Sequence, residues 1–78
     1  MVEIVLVTRQ DCHLCDDALA SLRSLGFEPE LRDVDADEQL HALYDWRVPV
    51  VLLAGQVVAE GRIDLDTLRS VLEPVGKG

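Results

Sequence analysis

The tetrapeptides Ile4-Val5-Leu6-Val7 and Val50-Val51-Leu52-Leu53 carry no polar residue at any position. A strand with one wet face alternates apolar and polar side chains, whereas a strand apolar throughout must be covered on both faces. Two such strands in a chain of 78 residues leave few architectures open. They belong in one sheet, and helices must pack on either side of it.

The remaining segments supply those helices and the sheet edges. Val2 to Thr8 reads as the first strand. Leu14 to Leu25 reads as a helix whose stripe is Leu14, Ala18, Leu22 and Leu25, with Leu19 beside it; Gly26 follows as a C-cap and Phe27 closes over the last turn. Phe27 to Val34 alternates Glu28, Glu30 and Arg32 with apolar residues and reads as a second strand, placed at an edge because Pro29 has no N–H for the ladder. Strand, helix and strand in this order form a parallel unit with a right-handed crossover.

Asp35 is expected to cap a short helix, with Glu38 completing a capping box and Leu40, Leu43 and Tyr44 as its buried stripe. Val50 to Leu53 and Gln56 to Glu60 form a hairpin around Ala54-Gly55. Asp64 caps a final helix with Leu65, Leu68, Val71 and Leu72 inward, and Pro74 is expected to stop it. The order is β-α-β-α-β-β-α. It predicts an α/β fold, one domain over 1–78, with a four-stranded mixed sheet and helices on both faces. The tail Gly76-Lys77-Gly78 is expected to fray.

Hydrophobic residues make up 49% of the chain, enough for a small core, and the formal net charge is -8. That charge opposes binding to phosphates and to anionic bilayers, so neither nucleic acid nor membrane is an expected partner. The first residues lack a basic stretch and carry Glu3, unlike a secretory signal, and no run approaches a membrane span. A cytoplasmic location and a monomer are expected. Thiols stay reduced in the cytoplasm, so a close cysteine pair there suits catalysis or metal binding better than a structural disulfide.

The chain has two cysteines, Cys12 and Cys15, separated by His13 and Leu14. Cys12 falls where the first strand gives way to the first helix. The first-turn N–H groups lack helix partners and stabilise a thiolate placed there. Cys15 lies one turn along the same face, so the two sulfurs can meet. Thiol–disulfide exchange follows: Cys12 attacks a substrate disulfide, and Cys15 resolves the mixed disulfide. The rival chemistry is metal. C-x-x-C supplies half of a four-ligand zinc or iron–sulfur site, completed by His13 and His41 or by a second copy of the chain. A third possibility is a binding domain of the same fold without turnover.

The pattern T-R-x-x-C-H-L-C-D-x-A-L, followed by D-V-D-A-D, R-V-P-V and G-R-I-D-x-x-x-L, resembles the glutaredoxin-like branch of the thioredoxin superfamily, in particular its small bacterial glutaredoxin-like proteins. The resemblance covers nearly the whole chain. It implies a thioredoxin fold and a dithiol–disulfide oxidoreductase serving electron transport and cell redox homeostasis. It implies a cis peptide bond at Val48-Pro49, with the backbone of Val48 pairing with an extended substrate. It further implies substrate contacts from Arg9 to a glutathione carboxylate and from Gly61 and Asp64 to the γ-glutamyl end. Glu60 stands where the family's segment has its first glycine, adding bulk and negative charge near an anionic ligand, and Arg62 is placed to offset it. No bound cofactor is implied, though glutathione is a possible co-substrate. Partners would be disulfide-containing proteins or glutathione, with glutathione or a thioredoxin-reductase-type protein as electron donor.

Asp11 and His13 flank Cys12 and are candidates for tuning it: carboxylates oppose a thiolate, while an imidazolium favours it. Trp46 either floors a substrate groove beside Val48-Pro49 or packs beneath that loop, and packing is expected, since a large aromatic usually contributes buried area. His41 is expected to be a surface residue without a partner.

Overall fold

A computed structural model describes residues 3–76. Its elements run β1 (Ile4–Thr8), α1 (His13–Ser24), β2 (Glu30–Asp33), a 3₁₀ turn (Val34–Ala36), α2 (Glu38–Tyr44), β3 (Val50–Leu53), β4 (Gln56–Glu60) and α3 (Leu65–Gly76). The four strands form one sheet in the order β2-β1-β3-β4, with β1 parallel to β2 and the other neighbours antiparallel. This is the mixed sheet the two apolar tetrapeptides demand, with β1 and β3 side by side at its centre.

Alternation along the central strands divides the core in two. Ile4, Leu6 and Val51 face α1 and α3, packing with Ala18, Leu22, Ile63, Leu68 and Leu72. Val7 and Val50 face the other way, packing with Val34 and with the half-buried Leu40, Tyr44 and Val48. Helices therefore cover both faces, α1 and α3 on one and the short α2 on the other.

Turn chemistry explains the boundaries. After α1, the Gly26 N–H donates to the Arg23 carbonyl at 3.0 Å and the Phe27 N–H to the Leu22 carbonyl at 3.0 Å. Gly26 takes φ 92°, which its missing Cβ allows. This crossed pair closes the helix, and Phe27 packs against the larger core. At the β3–β4 hairpin Ala54 and Gly55 have φ 52° and 84°, the mirror-image turn that suits twisted strands.

Several expected boundaries move. β1 starts at Ile4; Val2 lies outside the described residues. β2 is shorter than Phe27 to Val34, because pairing begins only after the buried Pro29, with Glu30 opposite Val5. It is an edge strand, as expected. The cap of α2 is Asp37, whose Oδ1 accepts from the Gln39 and Leu40 N–H groups at 2.9 and 3.1 Å. Asp35 does not cap it; its carboxylate binds Arg9 instead. Asp64 does cap α3, accepting from the Thr67 N–H at 2.8 Å. α3 continues through Pro74 to Gly76, since a proline near the last turn removes one hydrogen bond without unwinding what precedes it. Lys77 and Gly78, part of the tail expected to fray, lie outside the described residues. Leu14 and Leu43, both expected in buried stripes, are exposed; on α1 the inward position falls to Cys15.

No described helix is long and apolar enough to cross a membrane.

Candidate functional site

The register fixes which loops share one end of the sheet. Val7 lies opposite Val50, and Val50 opposite Glu60. The segments that continue beyond those residues therefore emerge together. They are Arg9 to Cys12, the Asp45 to Pro49 approach to β3, and Gly61 to Asp64.

Cys12 is the N-cap of α1, with extended backbone at φ -100° and ψ 104°. Asp11 makes the approach possible by adopting φ 57°, a conformation that aspartate tolerates better than most residues. The Cys15 N–H donates to Cys12 Sγ at 3.2 Å. The two cysteines form a disulfide, with their Cα atoms 5.2 Å apart. Cys12 is half-buried, whereas Cys15 is only 2% exposed. Cys12 thus reaches solvent, and Cys15 faces the core.

The peptide bond between Val48 and Pro49 is cis. The Pro49 carbonyl accepts from the Gly61 N–H at 2.9 Å, tying the start of β3 to the end of β4. Among the described residues, neither the N–H nor the C=O of Val48 has a backbone partner outside regular elements. A half-buried backbone pair of this kind offers one donor and one acceptor to an extended chain.

Arg9 is held rather than free. Its Nε and Nη2 donate to the two carboxylate oxygens of Asp35, both at 2.9 Å, in a bidentate pair. Nη1 donates to the Asp45 carbonyl at 3.2 Å, and Nη2 also reaches the Asp45 carboxylate. Arg9 therefore binds the β1–α1 loop to the segment leading into β3. Hydrogen bonding to Arg9 pulls the Asp35 carboxyl below its ordinary range; burial opposes this, and the charges of Arg9 and His41 assist. Asp64 is likewise held low, by the Thr67 N–H it caps.

His41 is not the unpartnered surface residue the sequence suggests. Its Nε2 lies 3.4 Å from Asp45 and 3.9 Å from Asp35. Asp35, His41 and Asp45 gather potential metal ligands within 4.8 Å. The cluster contains neither cysteine, and the Arg9 guanidinium already supplies its positive charge. His13 is 90% exposed and sits 3.8 Å from Asp17 one turn along α1. Asp11 is exposed as well.

The expectation that Trp46 packs beneath the loop is wrong: its side chain is 92% exposed. The Arg47 N–H donates to the Tyr44 carbonyl, and the Arg47 guanidinium lies 5.2 Å from the centre of the Tyr44 ring. The same guanidinium donates to Glu60, from Nε at 2.8 Å and also from Nη2.

Asp45 was not singled out from the sequence, and Arg47 entered only as the first residue of R-V-P-V, with no role assigned to it. Counting back from the Ala54-Gly55 turn would place Glu60 opposite Pro49; a register shift between Val51 and Leu52 moves it to Val50.

A profile described as "Glutaredoxin-like domain (DUF836)" matches residues 3–73. The chain belongs to this glutaredoxin-like family. Solved structures agree. Protein Ne2328 from Nitrosomonas europaea, determined in solution by NMR, is 33% identical, with a TM-score of 0.76 and 88% of each chain covered. Protein XcR50 from X. campestris, determined by X-ray diffraction, is 32% identical, with a TM-score of 0.79 over 91% of this chain and 96% of its own. No curated protein matches the chain. Family, fold and the cysteine pair at bonding distance together point to redox chemistry.

Proposed function

We propose that the chain is a dithiol–disulfide oxidoreductase of glutaredoxin type, with Cys12 as nucleophile and Cys15 as resolving thiol. The observation that carries the reading is the unequal placement of two bonded sulfurs at a helix N-terminus. Cys12 is accessible and receives the Cys15 N–H, whereas Cys15 is buried against the core. An N–H aimed at a sulfur favours its ionised form, and the thiolate is the attacking species.

In the reductive direction the Cys12 thiolate attacks one sulfur of a substrate disulfide, and the other substrate sulfur leaves as a thiolate. The Cys15 thiolate then attacks Cys12 Sγ and expels the second substrate thiol. Two electrons pass to the substrate, and the Cys12–Cys15 disulfide remains. A thiol donor, either glutathione or a dithiol protein of thioredoxin-reductase type, restores the reduced pair. No resident cofactor takes part. Val48 would align the extended substrate, and Gly61 and Asp64 shape the wall beside it. The cycle suits a reducing compartment such as the cytoplasm.

The test uses a neutral reagent. The protein is equilibrated without oxygen across ratios of reduced to oxidised dithiothreitol, trapped with an alkylator and weighed. One two-electron transition is expected. Cys12→Ser should abolish reduction of a small chromogenic disulfide, and Cys15→Ser should halt as a mixed disulfide on Cys12. Failure of the pair to cycle, or full turnover by Cys12→Ser, would remove the proposal.

A further inference from the structure

We infer that the disulfide exchanged here is carried by a cationic polypeptide, contacted by Trp46, and that the Arg47–Glu60 pair disfavours small anionic disulfides. This rests on the redox reading above and specifies its substrate class.

Charge comes first. The segments 9–17, 45–49 and 60–64, which meet at the site, hold six carboxylates against the arginines Arg9, Arg47 and Arg62. Two of those arginines are already engaged, Arg9 by Asp35 and Asp45 and Arg47 by Glu60. Arg62 alone of the three pairs with no described carboxylate. A small anionic disulfide such as oxidised glutathione needs guanidinium groups for its carboxylates, and here it would have to compete with a bidentate pair. The position of Glu60 sharpens this. Its partner Arg47 directly precedes Val48, and its neighbour Gly61 donates to the Pro49 carbonyl. A closed ion pair thus stands beside the Val48 backbone proposed to align a substrate.

The apolar side of the site points the same way. Trp46, 92% exposed, lies in the loop that Arg9 ties to the cysteine loop, and Leu43 one turn earlier is 59% exposed. An exposed indole accepts an aliphatic stem or a Lys or Arg cation over its face. Val48 adds a donor and an acceptor for backbone, which a polypeptide carries on both sides of its cystine. Basic residues flanking that cystine would be drawn in by the field of the carboxylates.

Reduced protein, freed of reductant, is mixed without oxygen with three disulfides. They are oxidised glutathione, a synthetic peptide disulfide with Lys and Leu beside the cysteines, and the same peptide with Glu in place of Lys. Each rate is divided by that of the same disulfide with reduced dithiothreitol, which removes intrinsic reactivity. The Lys peptide should lead both others by about tenfold or more at low salt, the lower end of electrostatic steering. The lead should shrink in about 1 M salt, where the screening length is a few ångströms. Trp46→Ala should cut the Lys peptide's normalised rate several-fold, and Glu60→Gln, which releases Arg47, should raise that of glutathione. If glutathione or the Glu peptide matches the Lys peptide at low salt, or if both variants behave as the parent, the inference is overturned while the redox reading stands. If none of the three oxidises the pair, and oxidised dithiothreitol also fails, the redox reading falls with it.

Discussion

On one side of the sheet, Leu6, Leu22, Leu68 and Leu72 are fully buried between two helices of 12 residues each and the strands. On the other, three valines and the half-buried Leu40 and Tyr44 hold a helix of 7 residues, and a guanidinium bridging two aspartates completes the attachment. The first face is held by apolar area removed from water, which is non-directional and is not screened by salt. The second relies more on directional, partly exposed contacts, each worth little alone. The loop with Trp46, Arg47 and Val48 leaves the second face. The segment proposed to meet a substrate therefore hangs from the weaker attachment, as expected of elements drawn from the low-stability end of a fold.

The largest test of this contrast is Leu22→Ala, which empties a fully buried site between α1 and the sheet. It should lower unfolding free energy by about 2–5 kcal/mol, measured as a shift in the urea midpoint. Val34→Ala on the opposite face removes less buried carbon and should lose about 1.6 kcal/mol from transfer alone. It should also speed hydrogen exchange in α2 well before α1. An equal loss at both sites would dissolve the distinction between the faces. Next in size is Asp37→Ala. It deprives the Gln39 and Leu40 N–H groups of their acceptor and should cost about 1 kcal/mol, read in the same titration.

The smallest effect separates the two faces by mechanism. Asp35 and Asp64 both have lowered pKa values, through Arg9 and through the Thr67 N–H respectively. A carboxyl lowered on folding contributes stability above its unfolded pKa, and the contribution is lost as pH falls through its folded one. Asp35→Asn and Asp64→Asn should each flatten the acid limb of the stability curve below about pH 4. Salt should erase the Asp35 contribution, which is an exposed ion pair, and leave most of the Asp64 contribution, which is a helix cap. Stability curves of both variants at two salt concentrations would show this. Identical salt responses would mean that the Arg9 contact is not electrostatic in origin.

The same division governs how much could be read from the chain. The helix end at Gly26-Phe27, the Ala54-Gly55 turn and the burial of Leu68 and Leu72 follow from residues a few positions apart, and all were legible. The cysteine pair at the start of α1 was legible for the same reason, as was the strand order once β1 and β3 were recognised as apolar on both faces. What escaped involves distant partners. Asp35 reads as a helix cap until Arg9, 26 residues earlier, claims its carboxylate; Asp37 then caps in its place. His41 is the exception: its neighbour Asp45 lies four residues on, at the C-cap of the same helix, a spacing the sequence displays. Leu43 and Trp46 read as core because apolar residues usually are. A helix of 7 residues has one narrow seam, however, and Leu40 and Tyr44 already fill it.

The near-complete burial of Cys15 has a consequence under oxidative stress. On the redox reading proposed above, peroxide would reach Cys12 first and convert its thiolate to a sulfenic acid. Left alone, that group can be oxidised again to a sulfinic acid that does not revert. Here a second sulfur waits one helical turn away, shielded from the oxidant. Its attack would expel water and return the chain to the disulfide. Peroxide titration should therefore yield disulfide in the parent protein and sulfinic acid in Cys15→Ser, a mass difference that a single spectrum distinguishes. The inner cysteine is in this sense a fuse that resets, guarding the one atom the chain must expose.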